Sequence, residues 1–427
     1  MAEVRIRGSK QQALLIATLG FFGGFAGVAI FGPLVPKFTA LLQLTPVAAG
    51  LLAGIPNLTG SLLRIPFGAW VDSKGGRRPF SLLLLLTLIG VAGLLLTLHA
   101  DYPLHMLGTY PLLLVLGMLI GSGIASFSVG IGQVSYWFPR SQQGGPLGTY
   151  AGLGNMAPGL SSWLLPVAVA SLGMLSAYGI WFSLLLVIAL IYFFAAHDAP
   201  WFQLRSQGVP AGKASELLAK YDQDLIPSGS ASKGLKIAAS VGATWALVAF
   251  YFLSFGGFLA LTAWLPTFWH QSYGMPLTTA GLLTLTFSIL ASLIRVPGGI
   301  LADRISIRYA LGGNLLLMAI GGLIVAFTHT VALAVTGEIV TAFGMGLQNA
   351  VVFKLVPRYV PRAIGGASGW VGGLGAFGGF AIPPLMGWLA GSTGSYGSGF
   401  LVVVVLALAE LAIVAWLGRW TRTAPLE

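Results

Sequence analysis

Polar residues punctuate the chain into twelve apolar stretches, at 12–36, 46–71, 79–99, 107–138, 145–170, 174–196, 238–269, 276–301, 309–328, 331–353, 363–389 and 397–418. Runs of about 20 apolar residues match the roughly 30 Å of hydrocarbon that a helix must cross, so each stretch reads as a transmembrane helix. The pattern predicts an all-α polytopic membrane protein. The first stretch follows Arg5, Arg7 and Lys10 as a secretory leader would, but it is too long for one, and its Gly32-Pro33 and Pro36 lead onward without a cleavage site. The longest polar interval is 197–236, with Asp198, Arg205, Lys213, Glu216, Lys220, Asp222, Asp224 and a Pro227-Ser228-Gly229-Ser230 run, and it reads as a linker between six helices (1–196) and six more (237–427).

Composition strengthens this picture. The 427 residues are 56% hydrophobic and 8% charged, where a soluble domain carries roughly 25% charged residues. A net charge of +11 in a soluble protein would point to nucleic acid. Here the positions decide otherwise. Every Lys and Arg except Lys37, Arg64 and Arg295 falls in segments that share one side with both termini, so the positive-inside rule places the termini in the cytoplasm and leaves no nucleic-acid reading. The chain has no cysteine, which excludes disulfides, thiolate metal sites and cysteine nucleophiles. His99, His105, His197, His270 and His329 lie in loops or at helix ends without metal-ligand spacing, and no Gly-Lys-Ser/Thr phosphate loop or Ser-His-Asp arrangement is present. The sequence therefore carries no enzyme constellation and implies no cofactor and no metal.

The two halves repeat at an offset of about 231 residues. Ala49-Gly50-Leu51-Leu52 returns as Ala280-Gly281-Leu282-Leu283. Ser61-Leu62-Leu63-Arg64-Ile65-Pro66 through Asp72 returns as Ser292-Leu293-Ile294-Arg295-Val296-Pro297 through Asp303, and Phe22-Gly23-Gly24-Phe25 returns as Phe255-Gly256-Gly257-Phe258. Parallel repeats joined by a linker suit secondary transporters whose substrate binds near the midplane between the halves. The repeat places one arginine inside the second span and one inside the eighth. A charge at the centre of a membrane helix costs about 2.5–3.5 kcal/mol on insertion scales, so it ordinarily faces an internal cavity. Snorkelling to the surface or a structural ion pair is the alternative. The first half has no Asp or Glu in a span and the second has only Glu338 and Glu410, so an anion between Arg64 and Arg295 is the expected counter-charge. A guanidinium fork matches a planar or tetrahedral oxyanion bidentately.

The segment Gly68-Ala69-Trp70-Val71-Asp72-Ser73-Lys74-Gly75-Gly76-Arg77-Arg78 resembles the loop 2–3 signature of the major facilitator superfamily with one extra glycine, and Gly299 to Arg304 is a weaker copy. That resemblance implies the major facilitator fold, with two pseudo-symmetric six-helix bundles, and gives Asp72, Arg77, Arg78, Asp303 and Arg304 a gating role; a loop that only sets topology is the alternative. Two glycine-rich runs, Gly148 to Gly159 in the fifth span and Gly365 to Gly379 in the eleventh, resemble the nitrate/nitrite porter family, whose Ala-Gly-x-Gly-Asn signature stands here as Ala151 to Asn155. The glycines that usually follow are Ala157 and Pro158, and the eleventh span has Ser368 without a clear Asn. Glycines at four-residue spacing also let helices pack closely.

By this resemblance Arg64 and Arg295 clamp nitrate or nitrite, Asn155 donates a hydrogen bond, Phe127, Tyr251 and Phe255 wall the site, and Gly152, Gly154, Gly373 and Gly375 line it. Trp70, Trp137, Trp264 and Trp269 read as interfacial anchors. Glu338, inside the tenth span, is the expected proton carrier if uptake is proton-coupled, or else a glutamate hydrogen-bonded within the bundle; Glu410 lies in a peripheral span. The expected protein is a monomeric secondary transporter of the cell inner membrane, moving nitrate, nitrite or both as antiporter or proton symporter. Exchange of an organophosphate or a carboxylate, or a nontransporting membrane sensor, are the alternatives.

Overall fold

The computed structural model describes residues 6–227, 231–298 and 305–420; Asp303 and Arg304 lie outside the described residues. Among the described residues, eleven helical segments are long and apolar enough to cross a membrane. Numbered by span, these are α1 (Lys10–Leu42), α2 (Pro46–Lys74), α3 (Arg77–Asp101), α4 (Tyr110–Trp137), α6 (Met174–Ala195), α7 (Gly242–Tyr273), α8 (Leu277–Gly298), α9 (Ile307–Phe327), α10 (Val331–Val356), α11 (Pro361–Thr393) and α12 (Tyr396–Ala415). Between α4 and α6 runs α5, in two pieces, Gly144–Asn155 and Ala157–Leu172. The α10 helix itself continues to Tyr359 and that of α12 to Trp420. The helices form two bundles. Large apolar side chains stand exposed on α3 (Leu85, Ile89, Leu96), α6 (Leu184, Val187, Phe194), α9 (Leu316, Ile320, Phe327) and α12 (Val405, Leu408), an outer belt that hydrocarbon rather than water would solvate.

The bundles meet unevenly. At the end away from the termini, the first half of α2 packs along the second half of α11, and the first half of α8 along the second half of α5. Glycine makes this seam close. A Cβ on Gly50 would strike the Pro383 carbonyl, one on Gly387 the Pro46 carbonyl, and one on Gly281 the Ser162 carbonyl. Asn57 Nδ2 bridges the seam to the Gly379 carbonyl at 3.3 Å. Toward the termini, Gly144, Gly145, Gly148 and Gly152 of α5 have nothing within 4 Å of a built Cβ. The bundles are thus sealed at one end and parted along α5 at the other.

The 197–236 linker is folded. It contains helices Pro200–Ser206, Ala211–Leu218 and Ala231–Ala239. Leu204, Ala214 and Leu218 form a small core with Ile6 and Trp201, the Phe202 ring stands edge-on to Tyr136 at 5.1 Å, and Asp224 accepts from the Arg140 amide at 3.1 Å, which fixes this stretch to the first bundle. The Ala231–Ala239 helix lies instead on α11, where Trp370 Nε1 donates to the Leu235 carbonyl at 3.0 Å. The tryptophans also depart from expectation. Trp137, Trp264 and Trp269 are buried within the protein and cannot serve as interfacial anchors.

The turn between α2 and α3 accounts for its extra glycine. Gly75 adopts φ 83° and ψ 171°, a region essentially restricted to glycine, and a Cβ there would run into the Asp198 carboxyl group. Asp198 accepts from the Arg77 amide at 2.8 Å, while Arg77 Nη2 donates to the Phe193 carbonyl at 2.8 Å. Burial raises the Asp198 carboxyl above the usual carboxylate range, and the Arg77 amide pulls it back. Gly173 has nearly the same backbone angles, φ 81° and ψ 167°, but open space at its Cβ. Replacing either glycine by alanine should cost on the order of 1–3 kcal/mol in backbone strain. Gly75→Ala must in addition displace Asp198, so its thermal unfolding temperature in detergent should fall further than that of Gly173→Ala; equal shifts would remove the Asp198 contact from the account.

Candidate functional site

The helices of the site are interrupted at mid-depth, and the interruptions follow from local sequence. Proline two residues after each arginine, Pro66 and Pro297, has no N–H to give the carbonyl four residues back, so α2 and α8 each break just before the arginine, at Leu63 and Ile294. Pro158 does the same to α5, leaving Asn155 at the end of its first piece. In α11 the run Gly372-Gly373-Leu374-Gly375 carries no such proline, yet the helix stops at Leu374 and restarts at Gly378. In α7 the turn Phe252–Gly256 widens to a π-helix between Tyr251 and Gly257. Interrupted membrane helices expose backbone groups to a shared interior, as transporter sites require.

Arg64 is 1% exposed. Its Nη1 donates to the Gly372 carbonyl at 3.1 Å, across the two bundles, while Nε and Nη2 are buried without a partner. That carbonyl lies in the last turn before the α11 break, where helix carbonyls lack intrahelical donors and carry partial negative charge. Arg295 likewise has Nε and Nη2 buried and unpartnered. Among the described residues neither arginine forms a salt bridge. Aromatic faces hold them instead. The Arg64 guanidinium carbon lies 5.0 Å from the Phe127 centroid and 5.1 Å from that of Phe255; for Arg295 the distances are 5.3 Å to Phe255 and 5.7 Å to Phe258. Phe255 is common to both, so the two guanidinium carbons can be no farther apart than the sum of their distances to it. Each such contact contributes about 0.5–2 kcal/mol. The rings therefore act on the cations, a role the sequence reading, which treated them as walls for an anion, did not assign.

The remaining residues of the sequence reading are placed as follows. Tyr251 stacks on Phe255 at 4.8 Å and 14°, and Phe127 lies 6.4 Å from Phe255. Asn155 is buried with Oδ1 unpartnered. A Cβ on Gly373 would meet Ile65 at 2.7 Å and one on Gly375 would meet Tyr251 at 2.7 Å, so both let α11 approach α2 and α7 closely. Asp72 sits at the far end of α2, accepting from the Tyr136 hydroxyl at 2.8 Å within its own bundle rather than from the basic loop. Arg77 is engaged at Phe193, as described above. Glu338 is not brought to the arginines: it accepts from Trp269 Nε1 at 2.7 Å, and Trp269 lies about 20 Å along α7 from Phe255 at 1.5 Å per residue. Among the described residues no group of three or more His, Asp or Glu could hold a metal.

Sequence reasoning passed over Ser288 and Ser292. Most serines in these helices bond a backbone carbonyl, as Ser61 and Ser162 do, but Ser288 and Ser292 keep buried hydroxyls without a partner. Ser292 lies one turn before Arg295 on α8. It also missed the support beneath Phe127: Phe21 packs on Phe127 at 5.4 Å and stacks on Tyr150 at 5.0 Å, while Tyr150 donates to the Ser126 carbonyl at 2.8 Å. Gly154 sits against Phe21 so tightly that a Cβ would enter the ring. Gly154→Ala should therefore disturb the aromatic stack under Arg64 and lower uptake about tenfold or more at matched expression, a loss on the scale of 1–3 kcal/mol for overpacking. Gly152→Ala, with open space at its Cβ, should transport close to wild type. Equal losses in the two variants would contradict the stack.

Comparison with known proteins agrees with this architecture. The sequence profile of the Major Facilitator Superfamily matches residues 17–286 and 272–426. The nitrite extrusion protein of Bacillus subtilis is 29% identical over 410 residues, covering 95% of this chain and 93% of that protein. The probable nitrate/nitrite antiporter NarK1 of Thermus thermophilus is 31% identical over 426 residues, covering 94% and 90%. The probable nitrate transporter NarT of Staphylococcus epidermidis is 28% identical over 408 residues, covering 95% and 96%. Among solved structures, the partially occluded inward open conformation of the xylose transporter XylE from E. coli aligns with a TM-score of 0.71 over 98% of this chain and 100% of that one, at 15% identity. The chain belongs to the major facilitator superfamily and, within it, to the nitrate/nitrite porter family.

Proposed function

We propose that this protein carries nitrate, nitrite or both across a cytoplasmic membrane by alternating access, with the anion held between Arg64 and Arg295. The observation that carries the reading is the pair of guanidiniums, Arg64 buried and Arg295 half-buried, that share the Phe255 ring while each keeps a buried Nε and Nη2 without a partner. A buried donor left unmade costs about 1–3 kcal/mol, and more when charged. A small oxyanion would satisfy the unmade N–H groups and offset the repulsion between the two cations. The names of the relatives, which concern nitrate and nitrite, support the choice of anion.

The positive-inside distribution puts both termini in the cytoplasm, so the sealed seam faces outward and the parted end inward. In this state Arg64 is tied to Gly372 of the opposite bundle. An anion that competes for Arg64 would loosen that tie, and closure around the anion at the cytoplasmic end would complete the cycle. Asp72, Arg77 and Arg78, with Asp303 and Arg304 of the second repeat, would latch that end when it closes. Exchange of nitrate for nitrite needs no further ion. Net uptake into a negative-inside cell opposes about 2.3 kcal/mol per charge per 100 mV and needs a cotransported cation.

Ligand-dependent thermal stabilisation of the purified protein tests the reading. Nitrate or nitrite at a hundred times its Kd should stabilise the native state by about 2.7 kcal/mol. Formate, phosphate and glycerol phosphate should do little, and a larger effect from one of these would replace nitrate as the substrate. Arg64→Lys and Arg295→Lys keep the charge but lose the fork, so each should fold yet lose both stabilisation and proteoliposome uptake. Near-normal uptake in either would take that arginine out of the site. For the latch, Asp72→Asn should raise the labelling of a single engineered cysteine on the cytoplasmic face of the otherwise cysteine-free chain; unchanged labelling and transport would leave Asp72 a topological role only.

A further inference from the structure

The π-turn of α7 ends on the residue pair that matters most to the site. It spans Phe252–Gly256, it begins next to Tyr251, and it contains Phe255, the ring against both guanidiniums. A π-turn inserts extra backbone into a helix and is stable only where its surroundings support it, which is why such turns concentrate at functional positions. Glu410 of α12 is 4% exposed although its helix is peripheral, and α12 packs directly on the π-turn, with the Leu253 backbone beside the Glu410 carboxyl. Its Oε2 is buried without a partner.

A carboxyl group within a membrane span, with a buried unpartnered oxygen and no cation bonded to it among the described residues, is costly to keep and marks function by default. The elements packed on this part of α12 are α7, α9, the second part of α11 and the short turn Tyr396–Phe400. Their titratable groups are Tyr251, His270 and Tyr273 on α7, Arg308 and Tyr309 on α9 and Tyr396 on the turn, with none on the second part of α11. Among the described residues none of them forms a hydrogen bond or salt bridge with Glu410. The other buried glutamate, Glu338, is already bonded to Trp269 near the sealed seam and lies far from Phe255.

We propose that Glu410 is a positioning residue through which a proton is coupled to the anion site: its carboxyl braces the α7 π-turn, and gain or loss of the proton resets Tyr251 and Phe255 beneath the two arginines. The step is a simple one. A proton from water adds to a carboxylate oxygen, the negative charge disappears, and the group holds the Leu253 N–H less strongly than the anion did. The proposal rests on the anion-transport reading and names the carboxyl that would link it to a proton.

Proteoliposomes loaded with nitrite and given external nitrate provide the test, with the apparent KM for nitrate measured in mildly acidic and mildly alkaline buffer. Wild type should shift its KM by about fivefold or more, the lower range of site-to-site coupling. Glu410→Gln should retain exchange but lose the shift, because the amide fills the same space and cannot ionise. Glu410→Leu should raise KM at both pH values, and the isosteric Glu410→Gln should restore it. A Glu410→Gln variant with the wild-type pH profile, a wild type with no pH dependence, or loss of the shift in Glu338→Gln alone would overturn the proposal. Absence of any nitrate exchange in wild type would instead overturn the transport reading beneath it.

Discussion

The rest of the structure depends on two cations set among the membrane helices with no carboxylate among the described residues to pair with. Arg64 and Arg295 survive there because the fold supplies weaker substitutes: a helix-end carbonyl from Gly372 and the faces of Phe127, Phe255 and Phe258. These are enough to hold a guanidinium and too little to satisfy it. That shortfall is what the proposed anion would fill. A protein carboxylate in the same place would neutralise the arginines permanently and leave no reason for a diffusing anion to enter.

Much of this was legible in the chain. An Arg-x-Pro unit stands inside a span at the same repeat position in each half, and its proline breaks the helix just before the arginine, so depth, break and charge are written together at Arg64-Ile65-Pro66 and Arg295-Val296-Pro297. The twelve spans, the repeat and the aromatic residues at 127, 251 and 255 also follow from pattern or resemblance. What could not be read is pairing across space. Nothing in the sequence joins Gly372 to Arg64, which are 308 residues apart, or sets Tyr136 rather than a basic side chain against Asp72. Trp264 and Trp269 look like anchors because of their places near the end of a span, yet the packing of α7 between other helices buries them. Glu338 drew attention by its position within a central helix, but the face of the helix on which it stands turns it toward Trp269.

The linker illustrates the same limit. Its polar composition signals a connection without signalling structure, because its three short helices each bury only a few apolar residues. The first two share a small core closed by Ile6, Phe202 of the first meets Tyr136, and the third settles on α11. Local polarity marks a connection; the docking that gives the segment shape comes from surfaces distant in sequence.

The sealed seam is built from glycines facing carbonyl oxygens. Gly50 against Pro383, Gly281 against Ser162 and Gly387 against Pro46 place main chain on main chain, with no long side chain interlocked between them. Parting such surfaces breaks few specific bonds and strands no charge, and water can solvate the carbonyls as they separate. Such a seam excludes solvent by close fit and the single Asn57–Gly379 hydrogen bond, so little more than packing would have to be undone for it to part.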